Sequence, residues 1–318
     1  MKPHLRLASL IFNQPQLVSD QMMSLAVQWA NQALHLNIVN LTVNGAQPKV
    51  EEVDLSGGAQ MASASDRRRA VVADTGVDII PVSGILVPRS AHVNPCEPMT
   101  SYEGLRLSLN QAIADPAVEH IILDVDSNGG SATGAFELAN DIREAAKLKP
   151  ITAIVNFSAF SGGYLIAAAA SNVIVSQTSG VGSIGVIAKH LDVSKRDEQQ
   201  GIKVTSVFAG DRKNDLTPHE PLSEQSLERL TSIVQTNYAQ FVDAIAQFRG
   251  LTTQAVKDTQ AGLFFGKEGL EAGLADSVET PQAAVNRIAA QIAASRAQPK
   301  PGGSVAARAA AMNMRSHY

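Results

Sequence analysis

The chain has 318 residues, 45% of them hydrophobic and 18% charged, the balance of an ordinary globular protein with a sizeable core. A formal net charge of -4 gives no general electrostatic case for binding nucleic acid or an anionic membrane surface. The single cysteine, Cys96, excludes an internal disulfide and fits a reducing cytoplasm; its Pro-containing loop offers only His92 nearby, a poor setting for a nucleophilic thiol.

In chain order, Met1 to Arg6 lack the apolar region and small-residue cleavage site of a signal peptide, and no stretch reaches the roughly 18 apolar residues of a membrane span. Residues 1–50 read as an N-terminal extension, with a helical segment at 17–33 and a strand-like stretch at 36–39. The composition then shifts to Gly, Ser and Ala with a mixed charge run ending Asp66-Arg67-Arg68-Arg69, so residues 51–75 read as a linker and the arginines as solvated. From Val77 the pattern alternates. Strands are expected at 77–86, 119–126, 151–155, 172–175, 184–187 and 201–208, and helices at 103–114, 135–147 and onward from Ser161, with Asn128-Gly129-Gly130-Ser131 as a turn. Such alternation implies parallel βαβ units, an α/β fold over residues 76–288. The clearest helix spans 223–248, with Ser223 as N-cap and Leu227, Leu230, Val234, Tyr238, Phe241, Ile245 and Phe248 as an apolar stripe for core or subunit interface. Residues 289–318, Ala-rich and then Pro- and Gly-rich, read as a flexible tail.

One stretch organises the rest. Ser161 stands where the apolar strand Ile151-Thr152-Ala153-Ile154-Val155 hands over to an Ala-rich helix, with Gly162-Gly163 behind it. A hydroxyl there meets the positive end of the helix dipole and unpaired N–H groups, which suits a nucleophile and equally suits an ordinary N-cap. Two other motifs are decoys. Gly180-Val181-Gly182-Ser183-Ile184-Gly185 matches G-x-G-x-x-G but is followed by strand-like residues, and Gly262 to Lys267 is one residue short of a P-loop. Position 159 is Ala, so the G-x-S-x-G elbow is absent. A serine nucleophile needs a base. His92, His120, His190 and His219 occupy loops or strand ends; Lys213 lies in a polar turn where a lysine is ordinarily solvated and charged.

Taken in order, Asp126-Ser127-Asn128-Gly129-Gly130-Ser131, Ser161-Gly162-Gly163-Tyr164, Val181 to Val186, Gly210 to Lys213 with Pro221-Leu222-Ser223, and Gly262 to Asp276 resemble the signal peptide peptidase A family of serine peptidases, which includes the capsid proteases of tailed phages. The resemblance covers roughly residues 75–285. It implies a Clp-protease/crotonase-like α/β fold of repeated ββα units and a Ser/Lys dyad: Ser161 as nucleophile, Lys213 as general base, Ser183 holding the lysine, and the N–H groups of Gly130 and Gly162 as the oxyanion hole. Asn128 departs from the proline common there, loosening the turn while leaving both glycines. The resemblance further implies no cofactor and no metal, a homo-oligomer with rings among its forms, and small residues such as Ala at the cleaved position. The tail segment Val305 to Ala311 would suit self-trimming.

The opening residues 5–15 look like the extension of the phage capsid proteases, so the expected role is head maturation, with scaffold or capsid precursors as protein substrates, in host cytoplasm or prohead and without a membrane anchor. The alternatives are a bacterial peptidase clearing signal-peptide fragments, a non-catalytic capsid scaffold protein on the same fold, and a crotonase-like acyl-CoA enzyme.

Overall fold

The structure is a computed structural model and describes residues 16–18, 66, 68–89 and 99–297. The N-terminal helix and strand expected at 17–33 and 36–39, the His92–Cys96 loop and the tail beyond 297 lie, apart from residues 17 and 18, outside them.

The frame is a nine-stranded, mostly parallel sheet. β1 (Gln16–Val18) is followed by helix α1 (residues 68–75), β2 (Val77–Val87), β3 (Met99–Ser101), α2 (Tyr102–Ala114), β4 (His120–Ser131), α3 (Ala135–Ala145) and β5 (Ile151–Phe160). Then come α4 (Gly162–Ala168), β6 (Asn172–Val175), β7 (Gly180–Gly182), α5 (Ser194–Gln199), α6 (Glu224–Arg249) and α7 (Thr253–Asp258). β8 (Leu263–Phe265), α8 (Lys267–Glu271), β9 (Ser277–Val278) and α9 (Pro281–Ala297) complete the order. The α/β class and parallel sheet are as expected.

The ββα character comes from three long strands that each serve two sections of sheet. The first halves of β2, β4, β5 and then β6 and β9 pair in parallel. Register shifts between Ser83 and Ile85 and between Val125 and Ser127 then re-aim the strands. Beyond them the second half of β2 pairs with β3, that of β4 with β1, and that of β5 with β7, which pairs in turn with β8.

Both faces of the sheet are covered, and alternation along β4 assigns its residues to two cores. Ile121, Leu123 and Val125 face the main core with α2, α3, α4 and the carboxyl half of α6. Ile122 faces the other way, with Val77, Ile154 and Ile174, against Ala284, Ile288 and Ile292 of α9. α4 is buried throughout. Its alanines let it lie close to β4 and β5, and Gly163 permits the closest approach: a Cβ there would sit 2.5 Å from the Ser127 carbonyl oxygen. Backbone on both sides leaves no flexible atom to yield. Gly163→Ala is expected to cost about 1–3 kcal/mol, read as a lowered thermal midpoint.

Several expectations are corrected. Residues 128–131 are not a turn but the end of β4, held by pairing with β1 and β2. Residues 184–187 form no strand; β7 ends two residues before them, at Gly182, and Ile187 makes only an isolated bridge to Gln16. Residues 201–208 pair with no strand and, Ser206 apart, are exposed, despite their apolar content. The linker stops short of residue 68, since residues 68–75 are helical and Arg68 makes a two-pronged 2.6 Å pair with the buried Asp78. The tail begins no earlier than 298, because burial of Ile288 and Ile292 carries α9 to Ala297. In α6, Ser223 is the N-cap, accepting from Ser226 N. Its stripe divides: Phe241, Ile245 and Phe248 are core, while Leu227 is 53% exposed.

Candidate active site

The parallel strands β4, β5 and β7 deliver their carboxyl ends to one place, the edge at which α/β sheets bind ligands. Ser161 directly follows β5, Gly129 and Gly130 close β4, and Ser183 directly follows β7.

Ser161 occupies the N-cap position of α4, yet its side chain makes no capping hydrogen bond. Its backbone is fixed instead: the N–H donates to Gly182 O at 2.8 Å and the carbonyl accepts from Leu165 N at 3.0 Å. The resulting φ of 53° and ψ of -119° lie where L-residues rarely go. The residue is fully buried, and Oγ reaches only a long 3.4 Å contact to the Gly185 carbonyl. A serine kept for capping would adopt extended φ/ψ and use its hydroxyl, as Ser101, Ser223 and Thr252 do at the starts of α2, α6 and α7. Ser161 does neither, so the N-cap reading fails.

The two glycines expected to bind an oxyanion are neighbours. A Cβ on Gly162 would lie 3.4 Å from Gly130 N, and one on Gly129 would lie 2.9 Å from Gly162 N. Gly129 has φ +101°, a conformation that favours glycine, and its N–H donates to Ser127 Oγ at 3.1 Å. Gly130 is crowded by β2, with the Leu86 carbonyl oxygen 1.9 Å from where a Cβ would be. Side chains at these glycines are thus excluded, so the backbones of β4 and α4 meet directly.

Ser183 mirrors Ser161 on the adjacent strand, again at φ 53°. Its N–H donates to Gly262 O at 2.8 Å, and its hydroxyl has no hydrogen-bond partner among the described residues. Ser161 and Ser183 are brought together by the pairing of Phe160 with Gly182. Among the described residues no hydrogen bond joins Lys213 to either serine. It is exposed, in a turn at residues 209–216, and its amine has no partner among the described residues. Among the described residues nothing buries it.

The segment carrying Lys213 is nevertheless anchored at its base. His219 Nδ1 and Asp197 Oδ2 are 2.6 Å apart, Val193 N donates to Pro218 O at 2.7 Å, and Ser226 Oγ donates to Asp215 Oδ1 at 3.2 Å. The hydrogen bond from His219, helped by Arg196, holds the Asp197 carboxyl below its ordinary range. A depressed carboxylate stabilises the fold above its unfolded pKa of about 3.9, and this is lost as pH falls through the lower folded value. Pepsin nicking within residues 201–216 is therefore expected to rise as pH drops from about 5 to about 3, and Asp197→Asn is expected to be susceptible already at the upper end.

Among the histidines, His219 is committed to Asp197. His120 pairs with Thr152 Oγ1 at 2.9 Å at the amino end of β4, some ten strand residues or roughly 30 Å from Gly130. Burial, with Arg287 nearby, lowers its pKa. Neither offers a base to Ser161. Among the described residues no group of three or more His, Cys, Asp or Glu side chains is placed to hold a metal, and no helix is long and apolar enough to cross a membrane.

Comparison with known proteins adds the following. Residues 143–295 match the model of peptidase family S49. The capsid assembly protease C of Escherichia phage lambda is 35% identical over 285 residues, covering 87% of this chain and 63% of that protein. The head-tail preconnector protein GP5 of Enterobacteria phage P21 is 36% identical over 214 residues, covering 67% of this chain and 43% of that protein. A putative signal peptide peptidase SppA of Enterococcus faecium is 30% identical over 193 residues, covering 59% of this chain and 55% of that protein. The chain thus spans about two fifths to just under two thirds of these relatives' lengths.

Proposed function

We propose that the chain is a peptidase of family S49, whose model its residues 143–295 match, and that it is a serine endopeptidase working by a Ser161/Lys213 dyad. The observation that carries this reading is Ser161 itself: a buried, strained serine that declines its capping role beside the glycine backbones of β4 and α4. In the proposed reaction Lys213 takes the Oγ proton as Ser161 attacks the peptide carbonyl. The N–H groups of Gly130 and Gly162 hold the oxyanion, and the proton passes to the departing amine. Water then repeats the sequence on the acyl-enzyme. Ser183 accepts from the lysine and fixes its position. No cofactor or metal enters.

A lysine serves as base only when burial lowers its pKa from about 10.4. The exposed position of Lys213 therefore favours a homo-oligomer in which a neighbouring copy buries it against Ser161. Ile202, Val204, Val207 and Phe208, exposed by 43 to 94%, give that segment an apolar surface to bury. Similarity to the two phage proteins supports head maturation, with scaffold or capsid precursors as substrates, in prohead or host cytoplasm. The SppA relative favours the second reading, clearance of signal-peptide fragments. Cleavage of casein or an Ala-rich peptide, wild type beside Lys213→Ala, tests the enzyme: activity in the wild type, lost in the variant, is expected, and equal rates would refute the dyad. Incubation with phage capsid and scaffold precursors, against a signal peptide, separates the two roles.

A further inference from the structure

The residues around Ser161 are covered by a segment of the same chain. β1 runs antiparallel to the carboxyl end of β4, placing Gln16 opposite Ser131, Leu17 opposite Gly130 and Val18 opposite Gly129. On its other side Gln16 exchanges both backbone hydrogen bonds with Ile187, at 2.9 and 3.1 Å. Ile187 lies two residues beyond Gly185, whose carbonyl is the contact of Ser161 Oγ. The segment is thus laced between the two stretches that flank the nucleophile.

Its centre meets the oxyanion corner. The Leu17 carbonyl oxygen lies 1.8 Å from where a Cβ on Gly129 would be and 3.2 Å from where one on Gly162 would be. Gly130 N lies 3.4 Å from that same Gly162 point. A peptide carbonyl from residue 17 and the backbone of the proposed oxyanion hole therefore share one small volume. The Leu17 side chain is fully buried in the main core, and Ser161 is fully buried as well, so no external peptide reaches Oγ while this arrangement lasts.

We propose that Gln16-Leu17-Val18 sits in the substrate cleft as a tethered, substrate-like strand. Substrates are then taken as extended chains added antiparallel to Gly129–Ser131, with an apolar side chain at the place of Leu17, and the cleft opens only when this segment leaves. Strand addition explains the geometry: main-chain hydrogen bonds on both sides give affinity, and alternate side chains give selectivity. The inference rests on the peptidase reading, but its test does not require turnover.

A fluorescein-labelled peptide of residues 13–22 is titrated, by anisotropy, against two full-length proteins that cannot cut it: Ser161→Ala, and Ser161→Ala with Leu17→Asp. A carboxylate cannot stay in Leu17's buried place, so the second protein has its cleft open. Because apparent affinity scales with the fraction of open cleft, binding about tenfold tighter or more is expected in the second protein. Should Leu17→Asp fail to fold by circular dichroism, Gln16→Pro replaces it, removing the N–H given to Ile187 while keeping Leu17. Equal affinity in the closed and opened proteins overturns the proposal, as does no binding to the opened one. In active protein the opening substitution is expected to lower KM for an Ala-rich peptide; a fall in kcat with KM unchanged would instead make the segment part of the machinery. Peptidase activity surviving in Ser161→Ala would refute the enzyme reading without touching the binding result.

Discussion

Ser161→Ala is expected to abolish peptide cleavage, by about 10⁴-fold or more in kcat, while Ser161→Gly is expected to be equally inactive and more stable than the wild type. The first half follows from chemistry: without Oγ there is no acyl-enzyme, and the backbone N–H groups alone retain only residual catalysis. The second half follows from backbone geometry. At φ 53° and ψ -119° a Cβ is held in a region costing of order 1–3 kcal/mol, and the serine hydroxyl recovers little of it through one 3.4 Å contact. Glycine accepts that conformation freely, although its greater freedom in the unfolded chain returns part of the gain. A net gain of about 1 kcal/mol corresponds to roughly 2–4 °C in the thermal midpoint of a domain this size. Ala keeps the Cβ and should melt within about a degree of wild type by the same scale. Thermal melts of the three proteins, alongside casein cleavage, check both halves. A glycine variant no more stable than the alanine variant would mean that the Ser161 backbone is not strained, and would remove the main reason for reading the site as functional.

The placement of Ser161 was legible because it depends on local pattern: an apolar β-branched strand, two glycines and an alanine run specify strand, junction and buried helix within twenty residues. Gly130 and Gly162 were legible only through resemblance, since nothing in Asn128-Gly129-Gly130-Ser131 distinguishes a turn from a strand end whose neighbours crowd out side chains. That distinction is made by Leu86 and Leu17, distant in sequence. The role of Leu17 was invisible for the same reason. Residues 17–33 suggest a helix, and pairing of 16–18 with β4 is a long-range choice that no local preference announces. The apolar run at 201–208 reads as a strand by composition, but composition does not choose a pairing partner, and the run pairs with no strand among the described residues. The α9 boundary was misplaced because alanine marks a tail or a helix equally well; the spacing of Ile288 and Ile292, one turn apart, is the signal for the helix.

Mixing two inactive variants, Ser161→Ala and Lys213→Ala, is expected to restore cleavage. If Lys213 reaches the Ser161 of a neighbouring copy, each active site takes its serine from one subunit and its lysine from the next. In a closed head-to-tail assembly formed from equal amounts, a site receives both intact groups in roughly a quarter of cases, so activity should recover to about that fraction of wild type. The two proteins must be combined under conditions that exchange subunits, or co-expressed with separable tags. Were the dyad instead closed within one chain by folding back of the 201–216 segment, every subunit in the mixture would lack one partner and activity would stay at background. The physical case for the first outcome is the energetic position of the lysine. It is exposed on a turn, and among the described residues nothing buries its amine beside Ser161, as a base would require. Burial of the neighbouring Ile202, Val204, Val207 and Phe208 against another copy provides the driving force, and the same event desolvates the amine. Activity should consequently depend on protein concentration, and charge-bearing Val207→Asp should lose both assembly and cleavage while leaving the fold of the monomer intact, because Val207 is 94% exposed there. Sedimentation of wild type and Val207→Asp beside the mixing assay distinguishes failure to assemble from failure of the dyad.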